Sequence, residues 1–291
     1  FDQREVQALG EVLESRVWGG YSPAVSELER RFAHLHQVAH GIACANGTVA
    51  LHAALAAAGV GSGDEVVVPP ITFIATATAV ALAGAIPIFA DIHPDTYNLD
   101  PAAFAAALTP HTRAVIPVHF GGQPADMDAI GEIAQHNGIA VIEDAAHAHG
   151  AGWRGRPVGN FGLAATFSFQ AFKLMTAGEG GMLLTRDAEM AARLRSFCNQ
   201  GRREGGDWYE HTTLGTNYRL SGLQAALLLV QLERLGEQNA RRSAHAQRLL
   251  RGLASCPGLV PLTVDARVTS HTNYLVILRY RPEGFALLDR A

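Results

Sequence analysis

Residues 140–150 read Ala140-Val141-Ile142-Glu143-Asp144-Ala145-Ala146-His147-Ala148-His149-Gly150. An apolar run with no polar alternation predicts a strand buried on both faces, as in a parallel sheet sandwiched between helices. The acids that follow fall at the carboxyl end of that strand, where open α/β sheets place their ligands. Outward from this stretch, β-like runs recur at 39–43, 65–68, 86–90, 114–118, 164–167 and 181–185, with helical patterns between most of them at 48–58, 75–83, 101–108 and 127–137. Strand, crossover helix, strand is the signature of a mostly parallel central sheet.

The segment 4–35 is helical in pattern and broken at Trp18-Gly19-Gly20-Tyr21-Ser22-Pro23, with Ser22 placed as an N-cap and Pro23 as the first helical residue. Beyond residue 185 a helix at 188–199 leads into a polar stretch at 201–217, a long helix at 221–253, a late strand at 273–278 and a helix start after Pro282-Glu283-Gly284. The expected division is a helical segment at 1–35, a large domain at 36–220, and at 221–291 a connecting helix with an incomplete small α/β domain. The first residue, Phe1, and an end at Ala291 inside a young helix suggest pieces absent at both termini.

The 291 residues carry 23 basic and 27 acidic side chains, a formal charge of −4, so no global basic field exists for nucleic acid or an anionic membrane. Hydrophobic residues at 48% and charged ones at 17% describe a folded chain. Cys44, Cys198 and Cys256 are widely spaced, without a C-x-x-C pair, which favours a reducing compartment. The apolar run 71–85 is too short to span a bilayer, and the N-terminus lacks a signal pattern. A soluble cytoplasmic protein is expected.

Of the 23 basic residues, 22 are Arg and only Lys173 is Lys. Arg stays charged, whereas a desolvated Lys can lose its proton and attack a carbonyl. Lys173 follows a strand and a turn, Phe167-Ser168-Phe169-Gln170, and precedes the glycine-rich Gly178-Glu179-Gly180-Gly181. Asn46-Gly47-Thr48 opens a helix directly after a strand and offers an anion its free N–H groups. Phe73 lies just past another strand end, as core packing or as a platform for a flat ring. Asp144 could cap a following helix, or join His147, His149 and His119 around a metal. Together, an amine, a carboxylate, an anion cradle and a ring surface supply what pyridoxal 5′-phosphate needs.

These residues resemble the DegT/DnrJ/StrS sugar aminotransferases, pyridoxal-phosphate enzymes of the aspartate aminotransferase fold (fold type I). The matching stretches include Gly47-Thr48-Val49-Ala50-Leu51, Thr72-Phe73-Ile74-Ala75-Thr76, Glu143-Asp144-Ala145-Ala146-His147, Phe167-Ser168-Phe169-Gln170 with Lys173, and Asn217-Tyr218-Arg219. The resemblance implies that Lys173 forms an imine with the cofactor and later moves the proton. It implies that Asp144 pairs with the pyridinium nitrogen, and that Phe73 stacks on the ring with His147 near its other side or its phenolic oxygen. Gly47, Thr48, Ser168 and Gln170 would hold the phosphate, and Asn217 would reach the cofactor of a neighbouring subunit, making a homodimer with shared active sites. Arg219 is a candidate for a substrate carboxylate or for structural pairing. Tyr21 and His211, in polar-aromatic surroundings, are candidates for the acceptor, although Trp18 and Tyr21 could instead pack the first helices.

The implied reaction is transamination of a keto group on a nucleotide-linked sugar or cyclitol, with Glu or Gln as amino donor and no metal. The alternatives are an enzyme like aminohydroxybenzoate synthase, which forms an aromatic amine by dehydration, a non-catalytic regulatory protein that keeps the cofactor pocket, and the metal-dependent α/β enzyme.

Overall fold

The computed structural model describes residues 1–285. From the N-terminal side its strands are β1 (His40–Cys44), β2 (Glu65–Val68), β3 (Ile86–Phe89), β4 (Thr112–Val115), β5 (Ala140–Asp144), the two-residue β6 (Gly152–Trp153) and β7 (Arg156–Pro157), β8 (Ala164–Ser168) and β9 (Gly181–Thr185). All but β6 and β7 join a seven-stranded sheet in the order β1-β9-β8-β5-β4-β2-β3. From β8 to β3 every neighbouring pair is parallel, and β9 runs antiparallel to both β8 and β1. The sheet is therefore mostly parallel, and the fold is the α/β class expected from residues 140–150.

Eight α-helices accompany it among the described residues: α1 (Gln3–Ser15), α2 (Pro23–Leu35), α3 (Gly47–Ala57), α4 (Ala75–Leu82), α5 (Pro101–Ala106), α6 (Met127–Asn137), α7 (Ala188–Cys198) and α8 (Gly222–Leu253). One buried cluster joins Leu51 and Leu55 of α3 and Leu194 of α7 to Val66, Ile142 and Leu183 of the strands. Another joins Leu28 and Phe32 of α2 and Leu228 of α8 to Phe167 and Leu184. Covering both faces explains why β8 and β9 are buried along their whole length, whereas the edge strand β3 leaves Ile86 and Phe89 exposed.

Local signals set several boundaries. Asp126 Oδ1 accepts the Ala129 N–H at 3.2 Å to open α6, and Gly138, in the left-handed region at φ 64°, closes it. Helix α8 opens with a capping box between Ser221 and Gln224. Ser22 does occupy the cap position of α2, but its side chain makes no capping hydrogen bond. It is buried where the start of α8 comes so close that a Cβ on Gly222 would lie 2.5 Å from Ser22 Cβ. The run expected at 114–118 leaves the regular ladder after Val115, because Pro117 has no N–H to donate.

The late strand expected at 273–278 is not formed as such. Asn273 takes a left-handed φ of 51°, which breaks an extended run. Strands instead form at β10 (Leu259–Pro261), β11 (Val268–Ser270) and β12 (Leu278–Tyr280), with β10 paired to β12 and β11 added to β6. Between β11 and β12 an irregular strap crosses the 119–122 turn, where Thr272 N–H donates to the Gly122 carbonyl at 3.2 Å and Leu275 N–H to that of Gly121 at 3.1 Å. Residues 282–285 form a short 3-10 turn, and the rest of the expected terminal helix lies outside the described residues. No helix among the described residues is long and apolar enough to cross a membrane.

Candidate active site

Asp144 is the last residue of β5, and its backbone is tied on both sides. Its N–H donates to the Pro117 carbonyl at 2.9 Å, its carbonyl accepts from His119 N–H at 3.1 Å, and Ala145 N–H reaches Thr166 O at 2.9 Å. No helix follows, so the carboxylate caps none. Instead Oδ1 accepts the Ala146 N–H at 3.2 Å and Oδ2 accepts the Thr76 hydroxyl at 2.8 Å. Burial pushes the Asp144 pKa up, opposed by the Thr76 and Ala146 donors and by the charge of Lys173.

Lys173 projects from an excursion between β8 and β9. Phe169 closes its base, donating its N–H to Gly180 O at 2.8 Å and accepting Ala177 N–H at 3.1 Å. From α8, Gln231 Oε1 accepts Thr176 N–H at 3.0 Å and Arg242 donates to Leu174 O at 3.1 Å. Gln170 shapes the turn itself, its Oε1 accepting Phe172 N–H at 2.9 Å and its carbonyl accepting Lys173 N–H at 2.9 Å. Burial lowers the Lys173 pKa, against the opposing pull of Asp144. Its Nζ lies 4.9 Å from the centroid of the Tyr274 ring.

Tyr274 also stacks on His147, with centroids 4.2 Å and planes 20° apart. The strap carrying it is fastened by Thr272 Oγ1, which donates to the His147 carbonyl at 2.8 Å. Burial, then the Lys173 charge, lowers the His147 pKa to about 3, so the ring is neutral, and its buried Nδ1 has no partner. The late segment is noted in the sequence only as a strand, and nothing local to it announces that Tyr274 meets His147 and Lys173. Thr76 stands in the matching stretch 72–76 but is given no role by the sequence, since its partner is 68 positions away.

The third part of the site is the start of α3. Asn46 caps it, Oδ1 accepting Val49 N–H at 3.0 Å, which leaves the first two helical N–H groups, of Gly47 and Thr48, for another acceptor. Ser168, at the end of β8, stands so close that a Cβ on Gly47 would lie 2.9 Å from Ser168 Cβ. Phe73 is 69% exposed, so its ring is free to cover a ligand.

The metal set does not come together. His119 Nδ1 accepts Ala125 N–H at 3.1 Å, so its Nε2 carries the proton and donates to Glu143 Oε2 at 3.1 Å. His149 Nε2 donates to the Ser168 carbonyl at 2.9 Å, and burial drives its pKa well down. Among the described residues no three His, Cys, Asp or Glu side chains are grouped to hold a metal ion. Glu143 is committed as well: it accepts N–H bonds from Gly159 at 2.8 Å, Phe161 at 2.8 Å and Gly162 at 2.9 Å.

Asn217, Arg219, Tyr21 and His211 form or border a second cluster beside β1. Ala45 N–H donates to Tyr218 O at 2.7 Å, which lays the 217–219 segment against the entrance to α3. Asn217 is exposed, and its Oδ1 accepts Arg219 N–H at 3.4 Å. Asn199 Oδ1 accepts from Arg219 at 2.8 Å and from the Tyr21 hydroxyl at 3.1 Å. Arg202 donates to Tyr21 Oη at 3.2 Å and lies 4.1 Å over Trp208. A cavity of about 420 Å³ opens between Tyr21, Arg202, Trp208 and Arg219. His211 Nδ1 is bonded to Gln200 O at 2.8 Å, at the base of that loop. Trp18 turns the other way, its indole N–H donating to Leu13 O at 3.1 Å.

The buried carboxylate, the desolvated amine and the free helix N-terminus define a class, the fold-type-I pyridoxal-phosphate enzymes. The residues present fit that cofactor: the cradle between Gly47 and Ser168 is open because no Cβ fills it, and the His147 Nδ1 is left without a protein partner.

The chain belongs to the DegT/DnrJ/EryC1/StrS aminotransferase family, whose profile matches residues 1–289. It is 43% identical over its whole length, and over 71% of the relative, to a protein of Streptoalloteichus tenebrarius provisionally named L-glutamine:3-amino-2,3-dideoxy-scyllo-inosose aminotransferase. It is 48% identical to GDP-perosamine synthase of Caulobacter vibrioides, over 75% of this chain and 58% of that one. The crystal structure of 3-amino-5-hydroxybenzoic acid synthase superposes with a TM-score of 0.93 at 42% identity, covering 96% of this chain and 74% of that one.

Proposed function

We propose that this pyridoxal-phosphate-dependent aminotransferase aminates a keto group on a cyclitol or a nucleotide-linked sugar, with Glu or Gln as donor. The observation that carries the reading is the placement of the chain's one lysine, desolvated and in the field of the buried Asp144. Bound pyridoxal phosphate supplies an aldehyde that exchanges amino groups and a ring that withdraws electrons from the reacting carbon.

The protein's own groups divide the remaining work. The Lys173 amine holds and moves a proton at Nζ, which its lowered basicity favours. Asp144 holds a negative charge against the ring nitrogen. Gly47, Thr48 and Ser168 bind the phosphate, with Gln170 shaping the adjoining turn. Phe73 covers the ring and excludes water, while Tyr274 fixes the His147 imidazole. Arg219 and Tyr21 line the cavity that would take the acceptor, and His211 is bonded to Gln200, next in sequence to the lining residue Asn199.

We further infer a homodimer in which Asn217 serves the partner's site. Its exposed position supports this, as does the exposed apolar surface of Phe73, Ile74, Leu82, Ile86 and Phe89. We read the chain as cytoplasmic and as divided at 1–35, 36–220 and 221–291, with α8 as the connection. A second reading, synthesis of an aminohydroxybenzoate by dehydration, is supported by the TM-score of 0.93. A panel of keto-cyclitols, nucleotide-linked keto-sugars and the corresponding dehydratable precursors, each with Gln or Glu, tests the proposal. Amination without loss of water supports it, and an aromatic amine as the sole product overturns it.

A further inference from the structure

The role proposed for Asp144 requires a carboxylate that stays ionised where water is excluded, since the residue is only 6% exposed. Oδ2 accepts the hydroxyl of Thr76 at 2.8 Å. Thr76 is fully buried on α4 and has a single hydroxyl proton, which an ionised carboxyl compels it to donate. Its oxygen is therefore the acceptor in the 2.8 Å contact with Thr72 Oγ1. The direction of the chain is fixed: Thr72 donates to Thr76, and Thr76 donates to Asp144. Ala146 N–H holds the other oxygen, and Lys173 is the further group whose charge favours the anion.

We propose that Thr72 and Thr76 form a two-hydroxyl relay that orients the Asp144 carboxylate and keeps it ionised for the cofactor's ring nitrogen. Thr76 is thus a positioning residue, acting through Asp144. The relay and Phe73 belong to one short segment, 72–76, so the element that offers the ring a stacking surface also sets the group that holds its nitrogen. The inference rests on the proposed role of Asp144, and the test separates the two.

Apoprotein is titrated with pyridoxal 5′-phosphate and with its 1-deaza analogue, which lacks the ring nitrogen. Wild-type protein is expected to prefer the natural cofactor. Thr76→Val, nearly isosteric, should lose about tenfold of that preference, the worth of one hydrogen bond to a charged group, while Thr76→Ser retains it. Thermal melting of each apoprotein reports folding independently. Thr72→Val, which leaves Thr76 in place, should lose about threefold, as expected for the far end of a polarised chain. Undiminished preference in Thr76→Val, or equal weakening of both ligands in the Val and Ser variants, would overturn the relay, as would an unchanged Thr72→Val. No preference in the wild type would instead overturn the role of Asp144.

Discussion

Tyr274 and His147 are stacked at 4.2 Å, and the same tyrosine ring lies 4.9 Å from Lys173 Nζ. One side chain from the strap after α8 thus borders two groups on loops that follow β5 and β8. The strap holds this position through Thr272, bonded both to the His147 carbonyl and to Gly122.

Tyr274→Ala removes a stacked pair and a cation–π contact, each worth about 1 kcal/mol. Cofactor affinity, measured by titrating the apoprotein, should fall about tenfold, and the His147 imidazole should titrate closer to its ordinary range by NMR. Tyr274→Phe keeps both ring contacts and should stay within about twofold of the wild type. Equal losses in the two variants would place the importance on the hydroxyl instead.

Glu143 is a structural acid, although it stands beside Asp144 in the sequence. Burial pushes its pKa up, but the His119 donor and the N–H groups of Gly162 and Gly159 outweigh this, and the carboxyl ends below its ordinary value. Glu143→Ala strands those donors in the core and should cost about 3–5 kcal/mol, read as a loss in denaturant unfolding of the apoprotein. Because the folded pKa is the lower one, this stabilisation is full above the ordinary carboxylate range and fades as the pH falls through the folded value.

Neutral buried histidines predict a second acid effect at higher pH. Burial lowers His36 to about 4, although its Nδ1 bonds Val158 O at 2.6 Å. His271 is likewise lowered by burial to about 4. The unfolded chain binds these protons from near pH 6.5 downward, while the folded chain does so only near 4, so stability falls with decreasing pH across that window. Each group contributes at most about 1.4 kcal/mol per pH unit. Unfolding measured from pH 7 to 4 should show a shallower decline in His36→Phe than in wild type. A parallel decline would mean that His36 is already charged in the fold.

Much of this site is legible in the chain because its parts sit on strongly patterned elements. Strands 65–68 and 181–185 and helix 127–137 appear at the positions their sequences predict, and each carries unambiguous apolar runs or caps. Lys173, Asp144 and Gly47 are visible because each lies at or shortly after a strand end. The roles of Thr76 and Tyr274 are not visible, since a threonine in a first helical turn and a tyrosine in a late extended run have ordinary local explanations. Only the assembled sheet brings Thr76 to Asp144, and only the strap, bent at Asn273, brings Tyr274 to His147. The two-residue strands β6 and β7 escape a pattern-based reading because so short a stretch shows no periodicity, and β11 is defined by its pairing with β6.

Lys173 as the residue that carries the cofactor is the central claim, and the absorption spectrum of the purified protein tests it most directly. Wild-type protein saturated with pyridoxal phosphate is predicted to show the visible band of a lysine-bound cofactor, to lose it on addition of Glu or Gln, and to lack it in Lys173→Ala and Lys173→Arg. A band that persists unchanged in Lys173→Ala, or a wild-type protein that gains none on saturation, would contradict the account.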